Sequence, residues 1–278
     1  MRYDPVKRQL GSVFDRSPFL RKVFYRLLDL LLLRAWHIQR ELRAWARTTL
    51  ATTSLSTGGD QDTHLYDAGA GFGQYSYWLS GLLPYARITA IDVKEEQVAD
   101  CNAFFQRIGR PQVRFEVGDV TKFQQPGAFD LVVCVDVMEH IVEDEAALRC
   151  YSTSLKQGGM LIISTPSDQG GSDVHEEGEG SFIEEHVRDG YNIDDIRSKC
   201  LRNGFSKVEA SYSYGAPGKI SWKLSMKWPL LMLNASRLFF IVLPFYYLLA
   251  YPIAFLLNMA DVRMTHKTGT GLVVKAWK

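Results

Sequence analysis

The stretch LYDAGAGFGQYS, Leu65 to Ser76, constrains the chain more than any other. An apolar run closes on Asp67, glycines follow at 69, 71 and 73, and a helical pattern begins immediately after them. Glycines at that spacing let the backbone turn sharply from strand to helix, and they let a ligand approach the main chain closely. The turn therefore predicts a strand-to-helix corner that binds something.

Around this corner, strand-like and helix-like runs alternate. HLYDAG, RITAID, VRFEVGD, FDLVVCVD and GMLIISTP read as strands, separated by the helical patterns YSYWLSGLL, EEQVADCNAFFQRIG and EDEAALRCYSTSLK. Short apolar strands joined by helices predict a parallel α/β sheet with helices on both faces. Beyond a polar loop, IDDIRSKCLRNGF reads as a helix, and KVEASYSY and the terminal GLVVKAW as two further strands.

Two nucleotide-binding patterns fit a glycine-rich corner, and spacing separates them. The dinucleotide fingerprint G-x-G-x-x-G would need glycine at position 74, which is Gln74. The arrangement instead resembles motif I of the class I S-adenosylmethionine-dependent methyltransferases. Asp92 in ITAIDV, Asp119 in VRFEVGDV and the Glu139-His140 pair in FDLVVCVDVMEHI follow in that family's order. The resemblance covers about residues 60 to 215 plus the last strand. It implies a Rossmann-like seven-stranded sheet in the order 3-2-1-4-5-7-6, with strand 7 antiparallel, and S-adenosylmethionine as cofactor. It also implies a cofactor site of Asp67, Gly69, Gly71 and Gly73 in the turn, Asp92 on the ribose hydroxyls, Asp119 on the adenine amino group, and Val93, Val120 and Val135 as apolar contacts.

For chemistry, His140 is the candidate base or acceptor-orienting group, with helix capping as its alternative. His186 and Tyr191, in EEHVRDGY, stand where a lid would cover the acceptor. The acids Asp173, Glu176, Glu177, Glu179, Glu184 and Glu185 read as a solvated loop rather than a metal site, and the four cysteines, with no C-x-x-C pair, as structural thiols.

Several acceptors lose support. Val135-Asp136-Val137-Met138 stands where a nucleobase-amine enzyme carries [DNS]-P-P-[YF], and no Pro-Cys dipeptide supplies the nucleophile of a cytosine-C5 enzyme. Charge is informative here: residues 1–50 carry 11 Lys/Arg against 4 Asp/Glu, residues 219–278 carry 8 against 1, and residues 51–218 carry 13 against 26. An acidic catalytic region opposes a phosphate backbone, so no nucleic-acid partner is expected, and a small or lipid acceptor remains.

Outside the resemblance lie two apolar segments. From Ser17-Pro18, a helix start, Leu20, Phe24, Leu27, Leu31, Ile38, Leu42 and Trp45 recur at helical spacing, interleaved with arginines. This predicts one long amphipathic helix, either covering the domain or lying on a membrane surface, with a nucleic-acid arm as a third reading. Leu238 to Leu257 is a run of 20 residues without a charge, broken by Pro244 and Pro252. A single crossing would separate two strands that the resemblance places in one sheet. The segment is therefore expected to be a pair of short helices broken near Pro244, an apolar insert between strands 6 and 7 that lies in the membrane interface or forms a lid or homodimer contact. Four regions follow: 1–58, helical; 59–215, the cofactor-binding core; 216–268, the apolar insert; and 269–278, the last strand. The expected function is methyl transfer to a quinone, polyprenyl-linked or sterol-like acceptor by a cytoplasmic, membrane-peripheral enzyme. The alternatives are a soluble-metabolite methyltransferase, a non-catalytic cofactor-binding subunit and an RNA methyltransferase.

Overall fold

The computed structural model describes residues 17–53, 63–170, 187–236 and 238–278. Seven strands form one sheet: β1 (His64–Ala68), β2 (Arg87–Asp92), β3 (Val113–Val117), β4 (Phe129–Val135), β5 (Leu155–Pro166), β6 (Lys207–Ser213) and β7 (Gly271–Trp277), in the order β3-β2-β1-β4-β5-β7-β6. β1 to β5 pair in parallel, while β7 runs antiparallel between β5 and β6. The predicted order and the antiparallel seventh strand are both present.

Alternation within each strand splits the core in two. Leu65, Leu131 and Val133 pack on one face of the sheet, and Tyr66, Val132 and Cys134 on the other. Both faces are covered, which is why these strands read as continuous apolar runs rather than as alternating patterns. The four cysteines are buried thiols.

The N-terminal helix departs from expectation. It is two helices, α1 (Pro18–Leu31) and α2 (Leu33–Thr53), separated at Leu32, whose backbone is extended (φ −89°, ψ 107°). Tyr25, Ile38, Leu42 and Ala46 are buried in the first core cluster. Part of the basic face turns to the protein itself: Arg21 is 4% exposed, the Arg40 guanidinium donates to the Val262 carbonyl, and Arg43 lies over the Trp78 ring. The helices thus cover the domain, while Arg26, Arg40, Arg43 and Arg47 and the apolar Phe19, Leu27 and Leu30 stay exposed.

Between the strands lie α3 (Gln74–Leu82), α4 (Glu95–Arg107), α5 (Asp144–Ser154) and α6 (Ile193–Arg202). The 216–268 insert is a helical hairpin. Its first limb is α7 (Ala216–Trp222), a π-helical turn (Lys223–Lys227) and α8 (Trp228–Ala235); its second is α9 (Phe239–Arg263). The break expected at Pro244 is not there: α9 runs unbroken through Pro244 and Pro252. The chain turns instead at Ser236, the C-terminal boundary of α8, which is extended (φ −163°, ψ 140°) and whose hydroxyl accepts the Leu238 N–H at 3.2 Å. A proline removes one main-chain bond and can kink a helix, but a residue with extended backbone separates two helices outright.

Candidate functional site

The turn after β1 is held from both sides. Gly69, Gly71 and Gly73 have φ of 70°, 51° and 78°, conformations that favour glycine. From above, the Tyr25 hydroxyl donates to the Phe72 carbonyl, and Arg21 donates to the same carbonyl at 3.0 Å and to the Cys101 sulfur at 2.9 Å. The amphipathic pattern of α1 concealed this clamp, because an arginine on a helix reads as solvent-facing.

A cavity of about 720 Å³ opens at the carboxyl ends of β1 and β2, lined by Gly69, Gly71, Phe72, Asp92, Val93, Asp119, Val120 and His140 among others. The Asp92 carboxylate accepts the Gly71 N–H at 2.8 Å and the Lys94 N–H at 3.0 Å. These bonds fix its rotamer, and each oxygen keeps a lone pair for a hydroxyl donor. Asp119 accepts the Thr121 N–H at 2.9 Å and the Thr121 hydroxyl at 2.7 Å. The Thr121 bonds, with Lys122 nearby, hold its carboxyl below the usual range, so it is an ionised acceptor at neutral pH. The D-x-T spacing is the signal for this local turn. Val93 is exposed on the cavity wall and Val120 is buried.

Of the remaining expected residues that the structure describes, His140 lines the cavity and the others do not. Asp67 does not reach the cavity: it is buried, accepts the Ser76 hydroxyl at 2.6 Å, and is pushed up to about 6 by burial. A Cβ on Gly73 would lie 2.8 Å from the Phe115 ring, so packing explains that glycine. Val135 packs against the core and is not among the cavity residues. Tyr191, expected beside a lid, is 2% exposed and away from the cavity; its hydroxyl bonds to the Met138 carbonyl at 3.1 Å and the Asp144 carboxylate at 2.8 Å, so it braces the segment after β4. His186 and the acids of 173–185 lie outside the described residues. His140 stands at the end of a short 3₁₀ turn (Met138–His140), exposed on the cavity wall.

Whether a nucleoside with a cationic sulfonium fits can be tested at Gly71. A Cβ there would meet nothing within 4 Å, so no packing demands glycine; the space is open to a ligand that approaches the main chain. Asp92 and Asp119 supply carboxylates at separate points of the same cavity. The residues fit the cofactor.

Residues 66–163 match the family model described as a methyltransferase domain. The domain belongs to the class I S-adenosylmethionine-dependent methyltransferases. The match agrees with the strand order and with S-adenosylmethionine as the cofactor. A ubiquinone biosynthesis O-methyltransferase of Xanthomonas euvesicatoria is 33% identical over 121 residues, 43% of this chain and 48% of that protein. A protein of the same description from Colwellia psychrerythraea is 30% identical over 112 residues, 40% of this chain and 44% of that one. The chain thus spans less than half the length of these curated relatives. Among solved structures, the Haemonchus contortus phosphoethanolamine N-methyltransferase 2 shares the fold at a TM-score of 0.56 and 17% identity, over 84% of this chain and 52% of that one. The [4+2]-cyclase SpnF superimposes at 0.54 and 17% identity, over 79% of this chain and 76% of that one. A methyltransferase and a cyclase at TM-scores of 0.56 and 0.54 mean that the fold alone leaves the reaction open.

Proposed function

We propose that this methyltransferase domain transfers the methyl group of S-adenosylmethionine to an oxygen of a quinone-type acceptor dissolved in a membrane, working from the membrane surface. The cofactor supplies an electrophilic methyl on a sulfonium; the chain's own residues hold the nucleoside through Asp92, Asp119 and the Gly71 main chain, and keep the acceptor in line while water is excluded. Partial similarity to proteins described as ubiquinone biosynthesis O-methyltransferases supports an oxygen acceptor of this class.

The single observation that carries the membrane part is the hairpin. α9 exposes Phe240, Ile241, Phe245, Leu248, Leu249, Ile253 and Leu256, and α8 exposes Leu230 and Leu231. At 1.5 Å per residue the limbs extend about 30 and 37 Å. Its anchored end is tied to the sheet: β6 and β7, which lead into and out of it, are paired neighbours. A hairpin rooted this way enters and leaves from one side of a bilayer, as a monotopic element does. Lys219, Lys223 and Lys227 on the first limb suit anionic headgroups.

The test is co-sedimentation with phosphatidylglycerol vesicles. Phe245, Leu248 and Leu249 are 70%, 73% and 76% exposed, so Glu at all three leaves the core untouched. Wild type pelleting with vesicles and the triple variant staying in solution is expected. Equal behaviour of the two, or a dimer in solution that the variant splits, overturns the membrane reading.

A further inference from the structure

Among the described residues, two carry a left-handed backbone without being glycine: Asp136 (φ 53°) and Tyr214 (φ 54°). Both bind the same residue. The Asp136 carboxylate is ion-paired with the Arg34 guanidinium, and the Tyr214 hydroxyl accepts the Arg34 main-chain N–H at 3.0 Å. That N–H is available because Arg34 stands in the first turn of α2, just past the break at Leu32, where helical donors have no internal partner. Unfavourable backbone that persists at two points around one residue marks a geometry held for a purpose.

The surroundings form a polar cluster at the edge of the cofactor cavity. Tyr75, in the first turn of α3, has a buried hydroxyl with no hydrogen-bond partner, and it is in electrostatic contact with Arg34, Asp136, Tyr214 and Asp29. Beneath them Glu139 is 2% exposed and accepts the Thr165 hydroxyl at 3.1 Å. Arg34 and Asp136 keep 38% and 28% of their side chains exposed, so the pair is reachable. Asp136 also lines the cofactor cavity beside Val137 and His140, so it forms the wall between that cavity and Arg34.

We propose that the cavity edge at this polar cluster is the acceptor's head site, with Asp136 accepting the proton of the hydroxyl to be methylated and Arg34 holding the oxygen as it becomes an anion. The inference rests on the methyl-transfer reading above and adds the acceptor class: a phenol or enol, whose hydroxyl ionises readily. The balance is simple. The acceptor O–H bond breaks, its proton passes to the Asp136 carboxylate, and the oxygen's electron pair forms the new O–CH₃ bond while the sulfonium leaves as a neutral thioether. Arg34 suits the task because the guanidinium has five N–H donors, and pairing with Asp136 leaves donors for a second oxygen. The Tyr75 hydroxyl supplies the remaining donor.

The test uses the full chain saturated with S-adenosylhomocysteine and 4-nitrophenol as a chromophoric probe. Absorbance titration reads the affinity and the apparent pKa of the bound phenol. Wild type binds the probe and lowers its pKa. In Arg34→Met that pKa rises, and in Asp136→Asn it falls, because one variant removes a positive and the other a negative charge beside the phenol oxygen. Opposite shifts require both groups to face the probe; a structural role alters affinity without them. Tyr75→Phe guards against misfolding: deleting an unpartnered hydroxyl leaves the melting temperature unchanged or higher, while probe affinity falls about tenfold. Shifts of one sign, unchanged probe affinity in Tyr75→Phe, or no probe binding by a protein that binds S-adenosylhomocysteine overturn the head site. Failure to bind S-adenosylhomocysteine at all would instead overturn the methyl-transfer reading.

Discussion

Gly71 and Gly73 stand two residues apart in one turn, yet they are glycine for different reasons. A side chain at 71 would enter the open cavity, and one at 73 would strike Phe115 and Phe105. Asn tolerates positive φ, so Gly71→Asn should keep its melting temperature and lose at least about tenfold in S-adenosylhomocysteine affinity by calorimetry. Gly73→Ala should do the reverse, costing about 1–3 kcal/mol in denaturant unfolding with cofactor affinity little changed. Glu139 offers a pH test. Burial first, and the nearby Asp136 carboxylate second, push its pKa up to about 8. A carboxyl with a raised folded pKa contributes stability that is complete below its unfolded value near 4.5 and is lost as pH rises through 8. Glu139→Gln should remove that slope, melting with or above wild type at pH 8.5 and losing its advantage toward pH 5; parallel pH profiles of the two proteins would contradict the assignment.

At the scale of elements, the hairpin is joined to the domain through small and polar residues. Ser221 donates to Asn258 at 2.6 Å across the two limbs, and Ala250 and Ala254 are buried where the limbs meet. Close approach through small side chains is how helices pack inside membranes. At the root, Asp261 of α9 accepts the Gly218 N–H at 2.9 Å and pairs with His37 of α2 at 2.8 Å and with His266 at 3.2 Å. A Cβ on Gly218 would lie 2.6 Å from the Asp261 carboxylate and 2.7 Å from Leu33, so Gly218→Val should loosen the hairpin, seen as faster proteolysis within 216–263 and a lower melting temperature. The sheet was legible in the sequence because buried parallel strands are written as apolar runs, and the cavity because Asp92 and Asp119 close their strands at the expected spacing. Other features were not legible, and for physical reasons. Pro244 looks like a break in any sequence, but a helix tolerates it, whereas Ser236 gives no strong signal. Tyr191 reads as a polar residue beside a lid and is instead buried by Asp144 and Met138. Arg34 and Tyr75 meet Asp136 only through tertiary packing, which no local pattern records.

For the whole molecule, the proposed membrane role would draw on the charge division and the hairpin together. Basic ends bracket an acidic cofactor region, with 26 Asp/Glu against 13 Lys/Arg between residues 51 and 218. The hairpin would bring the domain to an anionic surface, and the acidic cavity suits a cationic cofactor. Dependence on that surface should weaken as salt screens the basic flank, so vesicle binding at about 0.5 M salt is expected to fall but not vanish, the apolar limbs supplying the rest. The central claim is that the methyl group ends on a molecule dissolved in the membrane. The most direct measurement incubates the protein with methyl-labelled S-adenosylmethionine and vesicles made from membrane lipid extract, then partitions the products between organic and aqueous phases. Label is expected in an organic-phase phenol-derived ether, strongly reduced by Glu at 245, 248 and 249. Label confined to the aqueous phase, or an organic-phase product made equally well by that variant, would contradict that claim.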